Sequence, residues 1–353
     1  MKKSRMNSVD RTLNVGVVGA TGMVGEEFLR LMEQRKFPVK ELKLFASEQS
    51  RGQRRKALGR DWDVQPLTKD CFAGLDLVFF SSGDDISKEW APQAVAAGAF
   101  AIDNSAAFRM DEHSPLIVPE VNAHVLPPRE LPTIIANPNC STIQLVLALK
   151  PLSDHFGLNQ VRVATYQAVS GAGRAAMQEM INQTEQGLKN LGPNFALSTS
   201  DLPKAQNLPH PIAFNCIPQV GGFGDDGFCS EERKIRLESR KILDLPHLRI
   251  SAWTVRIPAL NVHSEAAWIT LDKVVTRAEL LKALTSQAGL VVEEKMNDPY
   301  PLALNVSGLD PVYVGRIHQD PDDPRTWMMW IVGDNLRKGA ALNGIQIAER
   351  LFN

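Results

Sequence analysis

Over the first 138 residues the apolar positions come as short continuous runs that alternate with stretches at helical spacing. Leu13 to Val18 is one such run; Gly19, Gly22 and Gly25 follow it, and Phe28, Leu29, Leu31 and Met32 then recur at the period of a helix. This predicts strand, glycine turn, helix. Leu42 to Ala46 and Leu75 to Phe80 predict two more strands, Ile86 to Ala97 a helix, and Phe100 to Asp103 and Thr133 to Ala136 two further strands. Buried strands alternating with helices predict a Rossmann-type, doubly wound parallel sheet covered on both faces.

After Pro138 the pattern changes. Gln160 to Val169, Leu248 to Pro258 and Ser264 to Thr270 are longer and partly alternate apolar with polar, as in a mostly antiparallel sheet with one wet face. Gly187 to Asp226, rich in Pro, Asn and Gly, reads as long loops with at most one short helix; loops of that length serve binding or assembly. Trp327 to Val332 and Gly339 to Leu351 read as a strand and a helix that packs back on the first domain. The predicted fold class is therefore α/β: a dinucleotide-type domain of residues 1–138 plus 336–353, and an α+β domain of residues 139–335.

Composition narrows the function classes. Lys plus Arg number 39 against 40 Asp plus Glu, a net charge of −1, which lacks the basic footprint of a nucleic-acid binder. No apolar run approaches the ~20 residues of a membrane span. The first twelve residues, MKKSRMNSVDRT, are basic but run into Leu13 without an apolar signal core, and read as a short disordered tail. The four cysteines, Cys71, Cys140, Cys216 and Cys229, show neither a disulfide framework nor metal-ligand spacing, so the expectation is a cytoplasmic protein with no metal site.

The turn GATGMVG at 19–25 has the spacing G-x-x-G-x-x-G, follows the first strand and opens a helix, where free N–H groups and the helix dipole favour a pyrophosphate. The alternative is a turn that only packs strand on helix. At the end of the second strand, Ser47, Ser50 and the cations Arg51 to Lys56 favour NADP, Glu48 favours NAD, and the charge run also fits a solvated loop. Asn137-Pro138-Asn139-Cys140 precedes the helical run Ile143 to Lys150, placing Cys140 at a helix N-terminus where a lowered thiol pKa suits a nucleophile. A nucleotide domain followed by such a cysteine suggests redox chemistry between an aldehyde and an acyl derivative, through a thiohemiacetal and a thioester. Among the seven histidines His263 is the best placed as the base.

Read together, GATGMVG at 19–25, DNSAAFRM at 103–110, NPNCST at 137–142, YQAVSGAG at 166–173, EERK at 231–234, RIPALNVHSE at 256–265 and GDNLRKGAA at 333–341 resemble the bacterial aspartate-semialdehyde dehydrogenases, in order over nearly the whole chain. The resemblance implies reversible NADPH-dependent reduction of L-aspartyl 4-phosphate to aspartate 4-semialdehyde and phosphate, on the route to lysine, methionine and threonine. It implies Cys140 as nucleophile, His263 as general acid and base, and Gln167 orienting the acyl intermediate. Arg256 would hold the substrate carboxylate, Glu231 its ammonium, and Arg109, Lys234 and Asn139 the phosphate. On the cofactor side it implies Gly19, Thr21, Gly22, Met23 and Val24 at the pyrophosphate, Ser50 and Arg51 at the 2′-phosphate, and Ser170, Gly171 and Asn335 near the nicotinamide. It departs from Gram-positive members at Gln49, where those carry an Arg. A homodimer or homotetramer is also implied.

Two rivals follow from the same residues. N-acetyl-γ-glutamyl-phosphate reductase shares the fold, turn and cysteine, but its acylated substrate has no ammonium to pair with Glu231. A noncatalytic paralogue should have lost Cys140, Gln167 or His263, and all three are present.

Overall fold

The computed structural model describes residues 12–294 and 299–352, so the expected tail lies, but for Thr12, outside the described residues. The first sheet contains β1 (Leu13–Val18), β2 (Val39–Ala46), β3 (Arg54–Ala57), β4 (Arg60–Pro66), β5 (Leu77–Phe80), β6 (Phe100–Asp103) and β7 (Ile134–Ala136), in the order β3-β4-β2-β1-β5-β6-β7. Every pairing is parallel except β3 with β4. The second sheet contains β8 (Leu158–Gln167), β9 (Arg249–Arg256), β10 (His263–Leu271), β11 (Leu290–Glu293), β12 (Val312–Gln319) and β13 (Thr326–Gly333), in the order β11-β12-β13-β10-β8-β9. The helices are α1 (Met23–Gln34), α2 (Asp84–Ala96), α3 (Pro119–Asn122), α4 (Cys140–Phe156), α5 (Arg174–Lys189), α6 (Ser230–Leu243), α7 (Arg277–Ser286), α8 (Ala303–Val306) and α9 (Leu342–Phe352).

Both faces of the first sheet are covered, which is why its strands read as unbroken apolar runs. Val15 and Val17 of β1 point to one face and pack with Phe28, Leu31 and Met32 of α1 and Leu342 and Ile345 of α9. Val18, Val78 and Phe80 point the other way, against Ala91 and Ala94 of α2. The Phe28 and Phe79 rings stack with centroids 4.5 Å apart, a contact worth about 0.5–1.5 kcal/mol beyond its burial.

The charge run at 51–56 is not a solvated loop throughout. Its second half is β3, joined to β4 by a two-residue turn, Leu58-Gly59, with φ of +54° and +76°. Arg54 pairs with Asp63 across this hairpin, and the charged flanks leave little apolar signal to read. Charge on an edge strand also opposes pairing with another chain.

In the second sheet, β10 runs antiparallel to both β8 and β13, and β12 antiparallel to β13, while β8–β9 and β11–β12 are parallel. One face packs on α4, α6 and α7 through Ile143, Leu147, Ile235, Leu280 and their neighbours. The other face leaves Tyr166, Trp253 and Trp268 exposed. Helices α5 and α7 and strands β11 and β12 are not apparent in the apolar pattern. The 187–226 stretch begins in the last turn of α5 and then holds only single 3-10 turns at Pro193–Phe195 and Thr199–Asp201. It is tied to α5 by Gln183, whose Oε1 accepts from the Ile212 and Ala213 N–H groups, and by Glu179, which accepts from those of Gln206 and Asn207.

Candidate active site

Strand periodicity delivers three of the site's side chains. In β8 the inward positions are Val161, Val163, Thr165 and Gln167; in β9 they are Ile250, Ala252, Thr254 and Arg256; in β10 they are His263, Glu265, Ala267 and Ile269. Gln167 pairs in register with Arg256, and Tyr166 with Ser264, so Gln167, Arg256 and His263 emerge side by side at one end of the sheet. There they meet Cys140, the first residue of α4, and all four line a cavity of about 380 Å³. His263 is the histidine in that lining, together with Arg109, Asn139, Glu231 and Lys234.

Asn139 caps α4. Its Oδ1 accepts from the Ser141 and Thr142 N–H groups at 3.0 and 3.2 Å, a cap worth about 1 kcal/mol. Its Nδ2 donates to Glu231 Oε1 at 2.8 Å, and Gln167 Nε2 donates to the same oxygen at 3.0 Å. Lys234 stands 3.4 Å from the other oxygen of Glu231. Burial works against ionising Glu231, but Lys234, the bonds from Asn139 and Gln167 and the charge of Arg256 outweigh it and hold the carboxyl below its ordinary range. Glu231 is therefore an anion inside the cavity. Arg256 donates through Nη1 to the Ala168 carbonyl at 2.8 Å, while its Nε has no partner and is buried. Burial lowers the Arg256 pKa, with Glu231 opposing, and the guanidinium stays charged.

Arg109 is more committed than a phosphate clamp on the surface would be. It is 7% exposed, pairs with Glu238 at 3.1 Å, and donates to the Asn137 and Asn104 carbonyls. Glu238 in turn accepts from the backbone N–H of Asn139 at 2.7 Å, so the pair braces the turn that presents Cys140. Glu238 was not singled out in the sequence, although it lies seven residues after Glu231 and hence on the same face of α6.

The thiol departs from expectation. Burial pushes the Cys140 pKa up to about 12, and Glu231 adds to the shift, while Arg256, Arg109 and the Ser141 N–H oppose it. The helix N-terminus favours a thiolate, yet desolvation beside an anion is the larger effect in this state. Burial, helped by the charge of Arg256, lowers the His263 pKa to about 3, so the ring is neutral. The Ala168 N–H donates to His263 Nδ1 at 3.1 Å, which places the proton of the neutral ring on Nε2. That nitrogen is buried and unpaired. Val262, immediately before it, has φ +78°, a costly conformation for a β-branched residue and one that recurs at functional sites.

The glycine turn fits a dinucleotide. Gly22 caps α1 without any side-chain bond, leaving the first-turn N–H groups free for an anion. A Cβ on Gly25 would lie 2.2 Å from the Gly19 carbonyl, and one on Gly19, whose φ is +81°, would meet Ser81 O at 2.8 Å. Of the turn, Val24 reaches the cavity lining, as do Ser170, Gly171 and Asn335 on the far wall. Ser170 Oγ and Asn335 bond to each other, and Asn335 Oδ1 accepts from the Val262 N–H. Gly171 lies so close over Arg256 and His263 that a Cβ would come 2.9 Å from Arg256 Nη1. Ser50 and Arg51 are not in this lining; Arg51 pairs with Glu48 at 2.6 Å on the surface beyond β2. Gly339 was also not singled out, yet a Cβ there would lie 2.9 Å from the Cβ of Cys140, so only glycine lets the chain pass this close to the thiol. Among the described residues no three His, Cys, Asp or Glu side chains are grouped to hold a metal, and no helix is long and apolar enough to cross a membrane.

Comparison with known proteins agrees with this geometry. Residues 14–127 match the family model for the semialdehyde dehydrogenase NAD binding domain, and residues 149–338 match the semialdehyde dehydrogenase dimerisation domain. Aspartate-semialdehyde dehydrogenase from Aquifex aeolicus is 44% identical over 96% of this chain and 97% of its own. The Bacillus subtilis enzyme is 42% identical over 97% and 98%. The crystal structure of aspartate semialdehyde dehydrogenase II from Vibrio cholerae, complexed with ASA, superposes with a TM-score of 0.90 at 37% identity, covering 97% of this chain and 98% of that one. With matches in sequence, in both domains and in fold over nearly its full length, the chain belongs to the aspartate-semialdehyde dehydrogenase family.

Proposed function

We propose that the chain interconverts L-aspartyl 4-phosphate and aspartate 4-semialdehyde with phosphate, using NADPH and NADP. The observation that carries this is the single cavity in which a cysteine at a helix start faces a neutral histidine, a buried guanidinium and a buried carboxylate. Arg256 offers the substrate carboxylate a planar fork and Glu231 offers its ammonium an anion. That pairing favours a free amino acid over the acylated amine of N-acetyl-γ-glutamyl phosphate. Lys234, with Asn139 and Arg109 behind it, receives the phosphate; Lys234 is the least committed of the three.

Cys140 attacks the C4 carbonyl, phosphate leaves, and the acyl group is held as a thioester beside Gln167. His263 offers Nε2–H to the carbonyl oxygen as it gains charge. To take the thiol proton at that nitrogen, the ring must first move its own proton to Nδ1 and give up the bond from Ala168. This makes its acid and base duty dependent on that backbone contact. A bound nicotinamide supplies or accepts the hydride. Gly19, Thr21, Gly22, Met23 and Val24 hold its pyrophosphate, and Ser170, Gly171 and Asn335 flank its ring. Ser50 and Arg51 receive the 2′-phosphate, which requires Arg51 to exchange Glu48 for the ligand.

Residues 1–138 with 336–353 form the dinucleotide-binding part, and 139–335 the catalytic and dimerisation part. The open face with Tyr166, Trp253 and Trp268 is where a second copy docks, consistent with the dimerisation-domain match. The test is phosphate-dependent reduction of NADP, and separately NAD, by purified protein given aspartate 4-semialdehyde. NADP activity that Cys140→Ala abolishes while leaving cofactor binding intact supports the reading. Turnover by that variant, or activity only with N-acetylglutamate semialdehyde, overturns it.

A further inference from the structure

Glu265 is a fully buried acid that the proposed chemistry does not use. It is 0% exposed, and neither of its oxygens has a hydrogen-bond partner. It lies two residues after His263 on the inward face of β10, so the two side chains point the same way. Across from them runs α4, where Gln144 follows Cys140 by four residues and therefore shares its face. Gln144 is 2% exposed and its Nε2 is also without a partner. Gln144 Oε1 lies over Gly333, where a Cβ would come within 2.8 Å of it, and Gly333 is the residue paired in register with His263. Helix and strand thus face each other with two matched positions each, Cys140 with His263 and Gln144 with Glu265.

We propose that Glu265 is a positioning residue: paired with Gln144, it holds the strand that carries His263 against the helix that carries Cys140. The inference rests on the roles proposed above for those two residues. Burial holds the Glu265 carboxyl well above its ordinary range, and Gln144 is the side chain that opposes this. A protonated acid has one O–H donor and one carbonyl acceptor, the complement of a primary amide. Two hydrogen bonds between this complementary pair would satisfy the groups now left unpaired. An ionised carboxylate could use only the amide N–H and would leave Gln144 Oε1 facing an anion.

The test compares E265Q, E265L, Q144L and the double variant E265L/Q144L in full-length protein. Three readouts are taken: NADP reduction across pH, the Michaelis constant for NADP, and the rate at which iodoacetamide alkylates Cys140. E265Q keeps the amide-type pairing without a charge and is expected to hold kcat within about threefold, with an unmoved pH profile. E265L and Q144L are expected to lose roughly tenfold or more in kcat at unchanged KM for NADP, because a small misplacement of reacting groups is costly. The double variant is expected to be no worse than the poorer single one, since one pair is being removed. E265L with wild-type kcat and alkylation, or E265Q as impaired as E265L, or additive losses in the double variant, overturns the proposal. If E265L does not fold, Q144L carries the same test from the helix side. Inactivity of the unmodified protein towards aspartate 4-semialdehyde would instead sink the functional reading, while the alkylation rates would still judge the pairing.

Discussion

Cys140 should behave as a suppressed thiol until substrate arrives. With its pKa pushed up to about 12, roughly one thiol in 10⁴ is ionised at pH 8, against about a quarter for an unperturbed cysteine. The more basic thiolate is also the better nucleophile, which at a Brønsted slope of about 0.45 restores a factor of roughly 40. Iodoacetamide should therefore modify Cys140 about 60-fold more slowly than free cysteine at pH 8, with a rate still climbing beyond pH 10. Cys216 is exposed and Cys71 partly so, which means the adducts must be resolved peptide by peptide in a mass spectrometer. Glu231→Gln supplies the internal control. It keeps an oxygen for Asn139 and Gln167 while removing the anion, the second cause of the raised pKa after burial, so alkylation should speed up even as the amino-acid substrate binds worse. An apparent pKa near 8 in the wild type, or no acceleration in Glu231→Gln, would refute the reasoning and show that the helix terminus prevails over burial.

Further expectations concern the neighbours of the thiol. Arg256→Lys should raise KM for the semialdehyde at least tenfold, as a charged hydrogen bond is worth about 1.5–3 kcal/mol; steady-state kinetics with a near-normal KM would place the carboxylate elsewhere. Gly339→Ala puts a methyl 2.9 Å from the Cβ of Cys140, so kcat should fall more than cofactor affinity does, and equal losses would locate Gly339 in the cofactor site instead. His263 has a folded-state pKa of about 3 against an ordinary 6.5, so between these values the unfolded chain binds more protons and stability falls as pH drops. At pH 5 the loss is roughly 2 kcal/mol, a unit and a half at ~1.4 kcal/mol each, and is complete only below pH 3. Denaturant melts of His263→Gln should lack this increment; an identical pH dependence in both proteins would count against a neutral buried ring.

What could be read in advance follows from the range of each interaction. The glycine turn, the helix start at Cys140 and the inward phase of Gln167, Arg256 and His263 are local, set by residues within one element, and each leaves a pattern in the chain. Arg109 with Glu238 joins residues 129 apart, and no spacing rule could pair them. The hairpin of β3 and β4 was missed because an edge strand buries little, and because a Leu-Gly turn lacks the Asn-Gly or Asp-Gly signature that usually marks one. The thiol pKa was misjudged for the same reason. The dipole that lowers it is visible in the helix start, but the burial and the Glu231 charge that raise it come from α6 and the second sheet.

The segment from Asp334 to Ala341 is where these long-range terms converge. It leaves the second sheet at the end of β13 and enters α9 on the first sheet through a π-helical turn at Arg337–Ala341, the wide turn that often marks functional sites. Asp334 accepts from the Leu336 and Arg337 N–H groups and from Asn261 and Gly308. Arg337, 1% exposed, reaches Glu27 and Gln34 of α1 on one side and Asp310 on the other. Lys338 is equally buried and bonds Glu120, Asn343 and Gln346; burial lowers its pKa, with Glu120 opposing. Two buried cations with several partners each are costly to place and costly to disturb, since moving either strands a charge in the interior. Between them and the cavity sits Gly339, against the Cβ of Cys140, with Asn335 on the cavity wall. The same anchored turn therefore fixes Cys140, the Asn335 wall of the cavity and the seam between the sheets, so the placement of the thiol against that wall is set by buried, multiply bonded cations.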